Sequence, residues 1–301
     1  MTECTDLSPG RHPTPPFAGA YTAFAQVFPD LRIHHRTEVP AHDGWVTTRQ
    51  LLADPALRAR LVAAEARHGR ARFGTAPRAD VAAGFWLHRY AWPLCLVFTL
   101  PWLLEQRVPL LPVEQLASRR PAGGWGPAEL ALLPGTGPLA FACLPGDPAA
   151  GLPGARVVAD PAALRATLRT TVAAQLDPLL TAFRPLLRRG PRTLWGLVTD
   201  ELVEGLWYAA GLLGEEARAV TALTALLPEP PAEATGATDA TDAGGADRID
   251  TAPFTGAAAF RLAAPRQPGV AAAPTRTRVS CCLYYTVRPA DLCPGCPRTC
   301  G

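Results

Sequence analysis

Four cysteines near one end of the chain share a spacing that few backbones can satisfy: Cys281-Cys282, ten residues, Cys293, two residues, Cys296. Four soft thiolate donors within sixteen residues can enclose a metal centre. Neighbouring side chains of an extended strand point to opposite faces. Cys281 and Cys282 can therefore serve one centre only where the backbone bends. Pro294 and Gly295, between the other two cysteines, suit a tight turn, because Pro fixes φ and Gly accepts positive φ. Such a donor set points to electron transfer rather than to hydrolysis or group transfer.

Three chemistries compete for these thiols. A [2Fe–2S] cluster takes four Cys thiolates, a structural zinc ion takes the same number, and the thiols can also pair as disulfides. Most zinc modules spread two C-x2-C knuckles over a longer interval, so the spacing favours iron–sulfur. Five of the eight cysteines fall between Cys281 and Cys300. Met1 to Gly10 has neither a basic start nor an apolar stretch, so no secretory leader is expected, and metal or redox use is favoured over a disulfide framework. Cys4, Cys95 and Cys143 are scattered, the last two in apolar runs where a thiol packs as a small hydrophobe. Cys300 follows Cys296 at a C-x3-C interval and reads as a spare thiol near the terminus.

The string Ser280-Cys281-Cys282-Leu283-Tyr284-Tyr285, followed by Cys293-Pro294-Gly295-Cys296, resembles the C-C-x10-C-x2-C signature of FhuF-type ferric siderophore reductases. Arg278 fits the basic lead-in usual there. The Trp195-Gly196 helix, the block from Trp86 to Trp92 and Gly44-Trp45 are more loosely similar. The resemblance implies that Cys281, Cys282, Cys293 and Cys296 hold one [2Fe–2S] cluster. It also implies one-electron reduction of siderophore-bound Fe(III), of the hydroxamate type, in the cytoplasm, with a ferredoxin or flavin reductase as the electron source. No general acid or base is required. Two other functions stay open on the residues alone: a non-enzymatic protein with a structural zinc Cys4 site, and an iron or redox sensor that uses the same cluster.

The remainder of the chain reads as α+β, a mainly α-helical body with a small sheet, closed by the cysteine tail. Residues 1–16 are expected as a disordered lead-in, 17–227 as the body, 228–252 as a flexible acidic insert without large apolar side chains, and 253–301 as the cluster-binding segment. Helices are predicted around Phe17 to Phe28, from a Thr47 or Thr48 cap through Leu52, and from an Asp54-Pro55 cap to a stop at Gly69. Ala79 to Leu100 is a strongly apolar helix that Pro93 should kink or divide. Asp160-Pro161 opens a helix with Leu164, Leu168, Val172 and Leu176 on one stripe, and two more helices follow over Thr193–Leu213 and Glu215–Leu227. Val108–Leu111, Leu139–Leu144 and Arg156–Val158 are the strand candidates of a small sheet that is not doubly wound. Phe254 and Phe260 are expected to anchor the tail to the core.

Composition excludes some classes. A net charge of +3 argues against a nucleic-acid partner. The longest apolar run, Phe85 to Leu104, is interrupted by His88, Arg89, Pro93 and Pro101, so it reads as buried core and no stable membrane insertion is expected. Every basic side chain of the Lys/Arg class is Arg, so the presence of any one Arg says little about its role. Arg276, Arg278, Arg288 and Arg298 around the cysteines therefore read as water-facing. Asp200 and Glu204 read as a solvated helix face, Tyr284 and Tyr285 as packing aromatics, and His34, His35 and His42 as surface or packing residues outside any zinc-protease motif.

Overall fold

A computed structural model describes residues 14–39, 44–121, 123–124, 126–135, 137–229, 251–262, 273–293 and 295–299. Most of the expected lead-in and acidic insert, together with Cys4, His42, Pro294 and Cys300, lies outside the described residues. The fold is α+β: long helices carry the core, and short strands pack at its side.

The organising element is α4 (Ala79–Glu105), a 27-residue helix about 40 Å long at 1.5 Å per residue. Its side chains are buried almost all round, as expected for a helix with no polar face. A single α-helix runs through both Pro93 and Pro101, so of the two outcomes expected of Pro93, a kink or a division, division does not occur. Packing on every side outweighs the lost hydrogen bond. Around α4 stand α1 (Ala18–Val27), α3 (Pro55–Phe73), α5 (Pro161–Phe183) and α6 (Pro191–Leu212). The short α2 (Thr48–Ala53) leads into α3, and α7 (Glu216–Leu226) packs on α6.

The helix starts follow the predicted chemistry. Thr47 makes a reciprocal capping box with Gln50, Asp54 accepts from the Leu57 amide at 3.0 Å, and Asp160 accepts from the Ala163 amide at 2.8 Å. Gly69 is not a stop. α3 continues to Phe73 and ends on Gly74 at φ 74°. At Gly69 the Pro77 ring lies where a side chain would stand, 2.7 Å from an ideal Cβ, so this glycine serves close packing.

The three predicted strands form one sheet in the order β3-β6-β7, built from β3 (Arg107–Leu110), β6 (Ala140–Cys143) and β7 (Ala155–Val157). A second sheet was not anticipated. It joins β1 (Arg32–His35), β5 (Glu129–Leu132), β4 (Leu116–Arg119) and β2 (Trp45–Thr47) in that spatial order, with β1 parallel to β5 and the other pairs antiparallel. Three of its strands, RIHH, WVT and LASR, lack the continuous apolar runs that mark Val108–Leu111 and Leu139–Leu144 as strands. β8 (Arg261–Leu262) and β9 (Pro274–Thr275) pair antiparallel in the tail. Phe254 packs edge-on against Trp195 and Phe260 against Trp207, as expected of the anchors. Among the described residues no helix is long and apolar enough to cross a membrane.

Helix α3 meets the second sheet through Glu65, whose side chain is fully buried and ion-paired to both Arg89 on α4 and Arg120 just after β4. Removing the carboxylate strands two largely buried guanidinium groups. Glu65→Ala should therefore destabilise the fold by about 3–5 kcal/mol, as breaking buried pairs does. Urea unfolding checks this; a loss below about 1 kcal/mol, the range of exposed pairs, would show that Glu65 is not the tie.

Candidate metal centre

The tail returns to the body along α6, and buried carboxylates of that helix receive it. Asp200 is 0% exposed. One of its oxygens accepts from Arg276 Nη2 at 2.9 Å and from the Val279 amide at 2.8 Å; the other accepts from the Ser280 amide at 2.8 Å and Ser280 Oγ at 2.9 Å. Arg276 also donates to Glu204 at 2.8 Å and to the Ala258 carbonyl at 3.1 Å. Arg278 donates to Glu201 at 2.7 Å, and His88 Nδ1 lies 2.6 Å from the same Glu201 oxygen. Asp200 is thus a buried anchor and not part of a solvated face. Arg276 and Arg278 are buried partners, also contrary to expectation. Arg288 and Arg298 do face solvent; Arg288 pairs with Asp291, and Arg298 lies over the Tyr285 ring at 4.1 Å.

Charges in this cluster shift one another. Burial alone would raise the Glu201 pKa, but His88 and Arg278 outweigh it and hold the carboxyl below its usual value. Its contribution to stability is therefore full at neutral pH and is lost as pH falls through that lowered pKa. Burial opposes the charge of Arg278 too, yet Glu201, Glu204 and Asp200 prevail and keep it firmly protonated. Glu204 is pushed up, chiefly by burial.

Just beyond the anchor the backbone makes the bend that adjacent cysteines require. Leu283, directly after Cys282, adopts φ 62°, the left-handed region that ends an extended run. Gly295 adopts φ 66°, and an ideal Cβ there would stand 2.7 Å from the Arg276 carbonyl, so the turn between Cys293 and Cys296 admits only glycine. The Cys296 amide closes that turn on the Cys293 carbonyl at 3.1 Å, and the Arg278 amide donates to the Gly295 carbonyl at 2.8 Å. These bonds bring the two halves of the motif side by side.

All four predicted positions lie in this one segment. Cys296 is 2% exposed, and Cys281, Cys282 and Cys293 are half-buried. None of the six described cysteines is in a disulfide. Cys282 and Cys293 Sγ are 3.5 Å apart. Two thiolates on one tetrahedral metal, with metal–sulfur bonds of about 2.3 Å, stand about 3.8 Å apart. The close pair thus fits a shared metal. Among the described residues no three His, Cys, Asp or Glu side chains converge on a single ion site. Burial first, and the Cys282 sulfur second, push the Cys293 thiol up to about 12. Two thiolates side by side need a cation between them.

Cys282 and Cys293 also form one wall of a cleft of about 950 Å³. Its other walls include Phe28, Phe85, His88, Arg89, Trp92 and Tyr284. Phe85, His88, Arg89 and Trp92 recur on one face of α4, so the cleft lies where that helix reaches the surface. Tyr284 packs edge-on against Phe73 at 5.6 Å, consistent with its reading as a packing aromatic. Sequence reasoning treated His88 and Arg89 only as interruptions of an apolar run. Two polar residues in an otherwise buried helix were the available signal.

Four thiols on a bent, anchored loop form a site suited to a metal centre. The model of the FhuF 2Fe-2S C-terminal domain matches residues 278–298; this segment is similar to that domain, which supports a [2Fe–2S] cluster as the cofactor. A structural zinc site is set aside accordingly. No curated protein matches the chain.

Asp200→Asn keeps the shape of the anchor but removes its charge, leaving Arg276 buried beside a weaker partner. The expected cost is about 3 kcal/mol, together with faster loss of iron to a chelator. Thermal melts and iron-release rates measure both; an unchanged release rate would show that Asp200 does not hold the cluster loop.

Proposed function

We propose that the protein reduces siderophore-bound Fe(III) to Fe(II) by one electron, and that Cys281, Cys282, Cys293 and Cys296 hold its [2Fe–2S] cluster. The observation that carries this reading is the position of Cys282 and Cys293 in the wall of a cleft large enough for a chelate. The cluster supplies one electron at low potential, near −400 mV for thiolate-ligated centres of this type. Residues 253–301 act as the cluster-binding segment of the helical body.

The substrate chemistry supports such a reaction. Hard oxygen donors hold Fe(III) much more tightly than Fe(II), so adding one electron loosens the grip of the chelate. Each 59 mV of mismatch changes a one-electron equilibrium about tenfold. The role of the protein is to bring the ferric complex against the cysteine wall and exclude water. Phe28, Phe85, Trp92 and Tyr284 offer apolar surface to the organic shell of the chelate.

The cleft favours an electrically neutral complex. Its two arginines are already engaged, Arg89 by Glu65 and Arg278 by Glu201, and Asp291 is engaged by Arg288. Among the described lining residues no unpaired arginine is left to offset a large negative charge, and Asp30 adds an anion. A ferric trihydroxamate, three monoanions on Fe(III), is neutral; a ferric tris-catecholate carries three negative charges. The hydroxamate class therefore fits. A reducing compartment, the cytoplasm, suits both a low-potential cluster and free Fe(II).

Single turnover tests the reading. Anaerobically reduced protein mixed with a ferric trihydroxamate should be reoxidised, with Fe(II) captured by a colour-forming chelator, and a ferric tris-catecholate should react at least about tenfold more slowly. A protein that stays reduced in the presence of the trihydroxamate would sink the proposal. Cys282→Ser and Cys293→Ser should each bleach the visible absorption of the cluster, whereas Cys300→Ser should leave it unchanged. Bleaching by Cys300→Ser would mean a different ligand set.

A further inference from the structure

We propose that the segment carrying Arg188, Arg189 and Arg192, beside Cys281 and outside the lining of the chelate cleft, receives an acidic one-electron donor protein. This inference rests on the reading above.

Residues 178–199 contain four arginines and no Asp or Glu, in a chain whose total charge is only +3. Arg184, Arg188 and Arg192 are exposed. Among the described residues none of the three is ion-paired, whereas the arginines inside the cleft and anchor all are. The charge of this segment is therefore available to an incoming partner.

The same segment touches the cluster loop. Arg189 Nη1 donates to the Cys281 carbonyl at 2.7 Å. Val279, two residues before Cys281, packs over Gly196, which lies one helical turn beyond Arg192 on α6. Val279 is 36% exposed, an apolar contact point beside the basic side chains.

The two sides of the segment are chemically different. Cys282 and Cys293 line the cleft, and neither Cys281 nor Cys296 does. Cys281 is instead tied through its carbonyl to the basic segment. A donor docked on the arginines approaches from the Cys281 side and leaves the cleft open. The exchange is simple: the reduced donor loses one electron, the oxidised centre gains it, and no bond or proton moves. Small charged interfaces suit such brief encounters, because complementary charge speeds association and orients the partner without tight binding.

The test uses the oxidised holoprotein and an acidic plant-type [2Fe–2S] ferredoxin. Calorimetric titration should show binding that weakens about tenfold or more from low to high salt. The double variant Arg188→Glu/Arg192→Glu, at two exposed positions, should lose affinity by a similar factor. In stopped flow its reduction by the ferredoxin should slow to match, while reoxidation by a ferric trihydroxamate stays at the wild-type rate. A saturating redox-inert gallium trihydroxamate should not displace the ferredoxin. Absence of binding, indifference to salt and charge reversal, or displacement by the gallium complex would each overturn the proposal. Failure of the reductase reading would appear separately, as reduced wild-type protein that the ferric chelate does not reoxidise.

Discussion

The buried carboxylate of Asp200 is the contact on which the functional end of this protein depends. An ionised group with no exposure is costly to bury unless every lone pair is used. Here one carboxylate accepts from a guanidinium, two backbone amides and a hydroxyl, all belonging to the tail. Phe254 and Phe260 pin the start of the tail on Trp195 and Trp207, and these polar contacts with α6 fix the stretch that leads into the cysteines. That position in turn decides where the cysteines face.

From this anchor the arrangement follows step by step. Asp200 fixes Val279 and Ser280, the left-handed Leu283 turns the chain, and Gly295 allows the second pair of cysteines to return against Arg276. Glu201, one residue along α6, binds Arg278 and His88, which links the cysteine loop to the face of α4 that lines the cleft. Anchor, cluster loop and cleft are thus one connected unit across α4, α6 and the tail. The loop is tied to the body at several points, and a cluster held by it would undergo little reorganisation on transfer of an electron.

Much of this was legible in the sequence, for identifiable reasons. Asp54-Pro55 and Asp160-Pro161 mark helix starts because a short acidic side chain followed by Pro satisfies the first turn in only one way. The cysteine spacing pointed to a metal because four soft donors in sixteen residues have few other uses. The ten-residue interval gave no hint that Cys282 and Cys293 would be the close pair, because that depends on a bond between Arg278 and Gly295. The role of Asp200 was hidden for a similar reason: burial of a charged residue is decided by partners 76 to 80 positions away. The second sheet escaped because three of its strands mix polar and apolar residues without a continuous apolar run, and the cleft escaped because it is formed by segments distant in sequence.

The central claim is that a thiolate-held [2Fe–2S] centre lies against a cleft that accepts a neutral metal chelate. Electron paramagnetic resonance of the anaerobically reduced protein, with and without gallium trihydroxamate, tests both halves at once. The account predicts the signal of a one-electron-reduced [2Fe–2S] centre, with its shape altered when the gallium complex is added. Absence of that signal, or a signal indifferent to the complex, would contradict it.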